Sequence, residues 1–537
     1  MDVLVTDADI VTMAASAGPA RSMLVREGRI VAAGPAEDVL AAAAPDARVV
    51  RLEGAAVIPG LIDAHCHLCD VGYLASGADC SQPAAPDIPA IVARLRDAAA
   101  RTPEGSWVTG SGYVEYKLRE GRHPTRGDLD AAVPGRPAIL FHTSLHACVL
   151  NTPALREAGL DDRQPDPPGG RLGRDREGRL DGVVHEGPTF TLLWGGRRRD
   201  MQRMGATARA ALVARAGQHF AALGITAACD ADTRRESLTA YAEADGQGVL
   251  GVRIAGLVVH DEVDWLLGSG LRGRRSPRLA ADSVKIWADG GMSSRTAAIH
   301  GSYPVPPYGS GIMYFPPDEL TAMVAEFDAR GLQVCIHAQG DRAIEAVLGT
   351  YATVLGGRSG NPLRHRIEHG GSMFAPLAAR AASLGIVVAA QPGMLSILGD
   401  GFAEALPERS DELHAYASWR RAGIHVAGSS DAPVITADPL VGIRDAVLRR
   451  TGSGRVLGPG ERLTVRDALA LYTTEAAFAM RAEHDIGSLE PGKLADFVIL
   501  DRNPLDIEPE QITDIRVLAT VVGGQPVFQA AGSPLRR

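Results

Sequence analysis

The stretch VIPGLIDAHCHL, residues 57–68, is an apolar run that ends in two histidines separated by one residue. Seven more short apolar runs follow along the chain. Ala- and Leu-rich stretches of helical character, such as ARAALVARAGQHFAAL at 208–223, lie between most of them. Strands that alternate with helices predict a parallel sheet, and eight such units predict a (β/α)₈ TIM-like barrel, an α/β fold. The predicted barrel strands are 60–64, 224–229, 252–259, 283–288, 333–337, 364–369, 385–391 and 424–429.

The two ends of the chain have a different pattern. Residues 1–57 read as short strands between turn signals, and strand patterns return after 484 in DFVILD (496–501) and VLATVVGGQPVFQA (517–530). We predict that 1–57 and 484–537 form one small composite β-sandwich module and that the barrel occupies 58–483. The interval from about 70 to 215 is partly rich in Pro and Gly, so we expect an insertion over the barrel mouth there.

Composition excludes several classes of protein. The chain has 537 residues, with 55 Lys+Arg against 64 Asp+Glu, and its net charge is −9. No basic excess is available to meet phosphate groups, so we expect no nucleic-acid partner. Six cysteines are too few for a disulfide scaffold, and we expect free thiols. Residues 1–10 do not resemble a leader and no long apolar run occurs, so we expect a cytoplasmic protein without a membrane span.

His65 and His67 follow the first predicted strand. Residues i and i+2 of a strand point to the same face, so both imidazoles project together from the carboxyl end, where barrel enzymes place their active sites. Imidazole nitrogen suits Zn²⁺ and neighbouring divalent ions, although two histidines alone do not specify a metal. Four more polar side chains lie at the predicted carboxyl ends of separate strands, and together the six predict a metal site: Lys285, His337, His369 and Asp431.

Six motifs carry a resemblance to a known family. They are PGLIDAHCH (59–67), SVKIWADGGMSSRTAA (283–298), IHAQGDRAI (336–344), RIEHG (366–370), GSSDAP (428–433) and IGSLEPGKLADFVILD (486–501). In these motifs the chain resembles the amidohydrolase superfamily, in the branch of N-substituted formamide deformylase and the YtcJ-like metal-dependent hydrolases. The resemblance extends from about residue 57 to 501, which is nearly the whole chain.

The resemblance implies a binuclear metal centre. The ligands of the more buried ion would be His65, His67 and Asp431, and those of the second ion would be His337 and His369. Lys285 would bridge both ions as a carbamate formed with carbon dioxide, since carboxylation turns a cation without a lone pair into an anionic oxygen ligand. Two Zn²⁺ ions suit these ligands. Manganese, iron or cobalt, a mononuclear site and a structural ion pair at Lys285 stay open as alternatives.

The resemblance also implies a function. We expect a hydrolase that cleaves the C–N bond of an amide or formamide-type small molecule by a metal-activated hydroxide, with Asp431 as the proton shuttle. The same site could serve hydrolysis of cyclic amides, lactones or esters, deamination or decarboxylation, since fold and site do not select among these reactions. A non-catalytic scaffold is a more distant alternative. Oligomeric state is open, and a homodimer is compatible with an acidic barrel of this size.

Substrate contacts are predicted in two segments. In HTSLHACVLNTPAL (142–155), His146 precedes Asn151 by five positions, as in the family pattern, and we expect both to contact substrate. We also expect His146 to take part in catalysis. Ser144 stands where the family often has Asp. On the loop after Lys285, Asp289 and Arg295 are candidates for binding a polar substrate group, with loop bracing as the alternative.

Glu368 is the immediate neighbour of His369. In a regular strand it would point to the opposite face, so we expect a packing or supporting part for it rather than ligation.

Overall fold

The computed structural model describes residues 2–15, 18–167, 170–304, 309–358 and 360–536. Eight parallel strands form the central sheet in their order along the chain. Each overlaps one predicted run, which confirms the barrel-like α/β fold. The strands are Leu61–Cys66, Ile225–Thr233, Arg253–Val259, Leu279–Trp287, Gln333–Ala338, Arg366–His369, Val387–Ala390 and Val426–Gly428. The two-residue strand Gly273–Arg274 pairs antiparallel with the fourth of them.

The barrel sheet is nearly closed, and its closure differs between the two ends. At the carboxyl end, Asp431 N donates to His65 O at 2.7 Å and His67 N donates to Ala432 O at 2.7 Å. At the amino end, Ile62 N instead donates to Tyr472 O at 2.7 Å, a residue outside the eight strands. The segment that closes the carboxyl end is therefore the one that carries Asp431.

Helices pack around the barrel and against the other sheets of the chain. In Asp341–Leu355, the buried residues include Ile344, Val347, Leu348 and Tyr351, a spacing of three or four that directs one apolar stripe to the sheet. The helices are Ala36–Ala42, Leu68–Leu74, Ile88–Arg101, Arg126–Ala132, Thr152–Glu157, Gly187–Arg203, Ala206–Ala222, Arg235–Gly246, Val263–Gly268, Pro317–Ala329, Asp341–Leu355, Ala375–Ser383, Met394–Ala405, Tyr416–Arg421, Pro439–Leu448, Val465–Leu471 and Thr474–Ala479. Among the residues described, none of these helices combines the length and apolar character that a membrane crossing requires.

The chain termini form two further sheets. The first contains Arg29–Gly34, Ser22–Arg26, Asp2–Thr6 and Arg48–Arg51. The second contains Asp9–Ile10, Ala56–Pro59, Phe497–Leu500, Val517–Val522 and Gln525–Gln529. Phe497–Leu500 pairs antiparallel with Ala56–Pro59, and side chains of both sheets, such as Met23 and Ile499, share one apolar core. The first and last segments of the chain therefore depend on each other for their burial.

A six-stranded sheet occupies the predicted insertion, where the sequence indicated only one strand, at 138–142. Its strands in spatial order are Gly170–Arg174, Leu180–Glu186, Ala147–Leu150, Ala138–His142, Val108–Tyr113 and Ala78–Asp79. Most are short and separated by Pro- and Gly-rich loops, so their periodicity is weak. Their stability comes from a separate core that includes Val108, Leu140 and Val149.

All six cysteines are buried with free thiols, as expected.

Candidate metal centre

The six predicted ligands converge at the carboxyl end of the barrel. They line one cavity of about 30 Å³, which has room for one or two water-sized groups. The six are His65, His67, Lys285, His337, His369 and Asp431. They come together because parallel strands place all their carboxyl ends at one rim of the barrel.

Three of these residues form what we call the triad: His65, His67 and Asp431. Their ligand atoms all lie within 4.8 Å of one another. Asp431 Oδ1 is 3.3 Å from His65 Nε2 and 3.0 Å from His67 Nε2. Ligand atoms about 2.0–2.1 Å from a tetrahedral Zn²⁺ are separated by roughly 3.3 Å, so these spacings fit a divalent ion. His65 Nε2 is buried without a hydrogen bond inside the described chain, as a ligand atom awaiting an ion would be.

The charges in the triad depend on each other. Burial opposes ionisation of Asp431, but the close His65 imidazole and the hydrogen bond from His67 outweigh it and hold the pKa of this carboxyl well below its usual range. Burial likewise disfavours a charged His67, yet the hydrogen bond and charge of Asp431 raise the pKa of this imidazole. The carboxylate is thus anionic at neutral pH, in the form that binds a cation.

Glu368 supports the triad from behind. Its carboxylate accepts hydrogen bonds from His65 Nδ1 and, at 2.6 Å, from Arg366 Nε. Burial opposes its ionisation, but the charges of Arg366 and His65 lower the pKa of Glu368 to about 2. A carboxylate at Nδ1 fixes the tautomer in which Nε2 is the ligand atom.

The strand at Glu368 is not regular, which corrects the expected alternation of faces. His369 has a left-handed backbone with a φ of 72°. Both Glu368 and His369 therefore reach the barrel interior, although they are adjacent in sequence. A non-glycine residue in this region is uncommon, and such residues concentrate at functional sites.

Asp63 holds the segment that carries Asp431. Its carboxylate accepts hydrogen bonds from Ser430 N at 3.0 Å and His65 N at 3.3 Å. Burial raises the pKa of Asp63 to about 7, against the effect of these donors. Asp63 was not among the predicted site residues, although its position two residues before His65 puts it on the same strand face.

The other three ligand candidates, Lys285, His337 and His369, form what we call the lysine half. Lys285 is fully buried, and its Nζ makes no hydrogen bond among the described residues. Burial lowers the pKa of Lys285, although the negative charges of Glu368 and Asp431 oppose this shift. Burial of an amine without a hydrogen-bond partner lowers the stability of the fold unless another group satisfies it.

The two histidines of the lysine half lie side by side. Their ring centroids are 4.6 Å apart, and the ring of His369 is 4.8 Å from that of His65. His369 Nδ1 bonds to Gln391 Oε1 at 2.8 Å. Burial lowers the pKa of both His337 and His369, so both rings are neutral and suited to metal ligation.

The predicted substrate residues occupy different places. His146 lines the metal cavity, and its Nδ1 lies 2.7 Å from Glu186 Oε2. Asp289 lies behind His337, with its Oδ1 3.4 Å from His337 Nε2. Its carboxylate accepts from three backbone amides, those of Ala298, Gln339 and Gly340. Asp289 therefore braces the loops around the cavity, as the alternative interpretation has it.

Asn151 and Arg295 lie away from the metal cavity. The buried Asn151 amide accepts from the backbone of Ala138 and Ala154 and donates to that of Val133 and Arg136. This uses its hydrogen-bonding capacity within the insertion, so we do not assign it to substrate. Arg295 pairs with Glu404 at 3.3 Å and lines a neighbouring cavity of about 840 Å³.

The helix Gly187–Arg203 covers the metal cavity, a feature that the sequence analysis missed. Its Trp194 lines the cavity and donates to Asp232 Oδ2 at 2.6 Å. Its buried Arg197 pairs with Asp70 at 2.5 Å and with Asp232 at 3.2 Å. Asp70 and Asp232 also lie near His67, but both are paired with the Arg197 guanidinium, so they anchor the covering helix.

Known proteins share this sequence pattern and architecture. N-substituted formamide deformylase of Arthrobacter pascens is 29% identical over 543 residues, covering 99% of each chain. The YtcJ protein of Bacillus subtilis (strain 168), which carries an amidohydrolase name, is 28% identical and covers 90% of this chain and 91% of its own. A solved structure of an uncharacterized metal-dependent hydrolase from Pyrococcus horikoshii OT3 has a TM-score of 0.77 at 24% identity, covering 95% of this chain and 99% of that one.

The match to a family is more extensive than any single motif. The pattern of the Amidohydrolase family spans residues 48–528, from the terminal sheets through the whole barrel. It includes every residue of the triad and of the lysine half. On this evidence the chain belongs to the amidohydrolase family.

Proposed function

We propose that this protein is a metal-dependent hydrolase that cleaves the C–N bond of a small amide of the formamide type. The observation that carries the proposal is the triad, in which three buried ligand atoms lie within 4.8 Å of one another at the catalytic end of the barrel. The similarity to N-substituted formamide deformylase supports the choice of reaction.

The triad would hold one divalent ion and the lysine half a second, with Zn²⁺ as the proposed metal. Bound ions of this kind polarise a carbonyl oxygen and lower the pKa of water. The Asp431 carboxylate accepts a proton from the attacking water and delivers it to the leaving nitrogen. Glu368 keeps His65 in the required tautomer throughout.

We further propose that Lys285 is carboxylated. A neutral Nζ attacks carbon dioxide, a C–N bond forms, and the amine proton leaves to solvent, which yields an anionic carbamate. Three features support this step: full burial, a hydrogen-bond capacity that the described chain leaves unfilled, and a pKa lowered by burial. An ammonium offers no lone pair to a metal, whereas a carbamate offers two oxygens.

The test is amine release from N-formyl, N-acetyl and longer N-acyl amines, with cyclic imides and lactones alongside. The protein is loaded with Zn²⁺ in the presence of bicarbonate. We expect turnover to be highest for the formyl compounds, to fall with acyl length, to vanish with a chelator and to return with Zn²⁺. Activity confined to ring substrates would overturn the choice of an acyclic amide and leave the metal site standing.

A further inference from the structure

Glu186 stands in an unusual conformation at the edge of the metal cavity. It ends the strand Leu180–Glu186 and precedes the covering helix, with a φ of 63° and a ψ of −134°. This combination lies outside the regions that side-chain-bearing residues normally adopt. Such a strained backbone persists only when the contacts around the residue hold it in place, and residues of this kind cluster at functional sites.

Four side chains converge on the buried Glu186 carboxylate. On Oε2 it accepts from His146 Nδ1 at 2.7 Å and Tyr314 Oη at 2.6 Å. On Oε1 it accepts from Ser294 Oγ at 3.2 Å and from Thr296 Oγ1. One imidazole N–H and three hydroxyls can all donate to this carboxylate when it is ionised. Burial opposes that charge, but His146 and these hydrogen bonds lower the pKa of Glu186 to about 2.

Glu186 and His146 are joined twice. Besides the side-chain contact, Glu186 N donates to His146 O at 2.8 Å. The ring of His146 lines the metal cavity and lies 5.8 Å from the ring of His337. The Nδ1 side of the imidazole therefore faces the carboxylate, while the ring itself belongs to the wall of the reaction site.

We propose that Glu186 is a positioning residue, which holds the proton on His146 Nδ1 and directs His146 Nε2 to the substrate amide. This inference rests on the proposed function and extends it to a residue that acts through another. A carboxylate that accepts from one imidazole nitrogen sets the tautomer and orientation of the ring, and so determines what the other nitrogen can contact. The strained backbone is the conformation that brings the carboxylate to Nδ1.

Kinetic measurements distinguish a positioning role of Glu186 from a role that only stabilises the fold of the insertion. For Glu186→Gln we expect kcat to fall about 10–100-fold with little change in KM or metal content. His146→Gln should lose a similar factor, and the double variant should lose no more than either single variant. Tyr314→Phe is the matched control, since it removes a donor from the same oxygen and leaves the His146 contact; we expect it to stay within about threefold of the parent. Losses that add in the double variant would overturn the proposal.

A spectroscopic measurement tests the pair without turnover. In metal-free protein labelled with ¹⁵N-histidine, the His146 signals are identified by their absence in His146→Gln. We expect a protonated Nδ1 with a downfield proton, and an upfield shift of that proton in Glu186→Gln. An unprotonated Nδ1 in the parent protein would overturn the proposal. If no amide is hydrolysed, the proposed function fails, and this measurement still decides the role of Glu186.

Discussion

The triad and the lysine half face the same cavity, yet they differ in what they offer to a cation. The triad contains its own anion, because Asp431 lies 3.0–3.3 Å from both histidines and is ionised. The lysine half has none: Lys285 is an amine, and the nearby Asp289 is engaged by three backbone amides. We therefore expect the triad to suit a divalent ion as folded, whereas the lysine half would need a covalent change to do so.

The difference follows from how the barrel closes. Asp431 reaches the triad because its own backbone amide completes the sheet against His65 O. The lysine half lies on three strands in the middle of the sheet, where ladder hydrogen bonds are formed without any such segment. The segment that closes the barrel therefore places a carboxylate, that of Asp431, in the triad and none in the lysine half. We therefore expect the triad to bind metal without carbon dioxide and the lysine half to depend on it.

The largest effect should be the loss of turnover when Asp431, the anion of the triad, is replaced. Asp431→Asn keeps the size of the side chain but removes its charge and its capacity to take a proton, so kcat should fall about 10²–10⁴-fold. Far-UV circular dichroism should be unchanged. Asp501→Asn is the matched control, since Asp501 pairs with Arg516 near the terminal sheets. Near-normal turnover of Asp431→Asn would assign the proton transfer to another group.

The next largest effect should be a loss of bound metal from the lysine half when Lys285 is replaced. Lys285→Met removes the amine that carries the carbamate, so bound metal should fall from about two ions to about one per chain, with loss of most turnover. Metal analysis after gel filtration measures this. Depletion of carbon dioxide should reproduce the change in the parent protein and alter nothing in Lys285→Met. Two ions retained by the variant would remove the carbamate and the proposed contrast between the halves.

A smaller effect, on metal affinity, is expected from substitution of Glu368, which lies behind the triad. Glu368→Gln keeps an acceptor near His65 Nδ1 but removes the anion, so the affinity for the first metal ion should fall about 10–100-fold. Competition with a chromophoric chelator measures it. Glu483→Gln, which breaks a peripheral pair with Arg364, provides the control. An unchanged affinity would show that Glu368 serves only to neutralise Arg366.

The smallest expected effect is a pH dependence of the stability of the metal-free protein. Because the hydrogen bond and charge of Asp431 outweigh burial and raise the pKa of His67, this pair stabilises the fold fully below the unfolded value of about 6.5. That contribution is lost as pH rises through the folded value. The difference in urea stability between the parent and His67→Asn should therefore be larger at pH 6 than at pH 8. An equal difference at both values would contradict the shift.

Local pattern was sufficient to predict the barrel and the convergence of the six candidate ligands on one cavity. Each barrel strand is an apolar run, and each candidate ligand lies near the carboxyl end of such a run or just after it, so chain order predicted all six at one rim. The sheet of the insertion could not be predicted from local pattern in the same way. Its strands are short, and they are buried by contacts with one another and with the helices Ile88–Arg101 and Arg126–Ala132, which no local pattern records.

The supporting residues were decided only in three dimensions. Glu368 and His65 are 303 residues apart in the chain, and Ser430 and Asp63 are 367 apart, so no spacing in the sequence connects them. Glu186 reaches His146 through a backbone conformation that residue type alone would argue against. Residue types and strand ends thus indicated which groups are candidates for binding a metal. Closure of the barrel and the packing of the insertion settled their orientation, their charge and their partners, because those depend on contacts between distant segments.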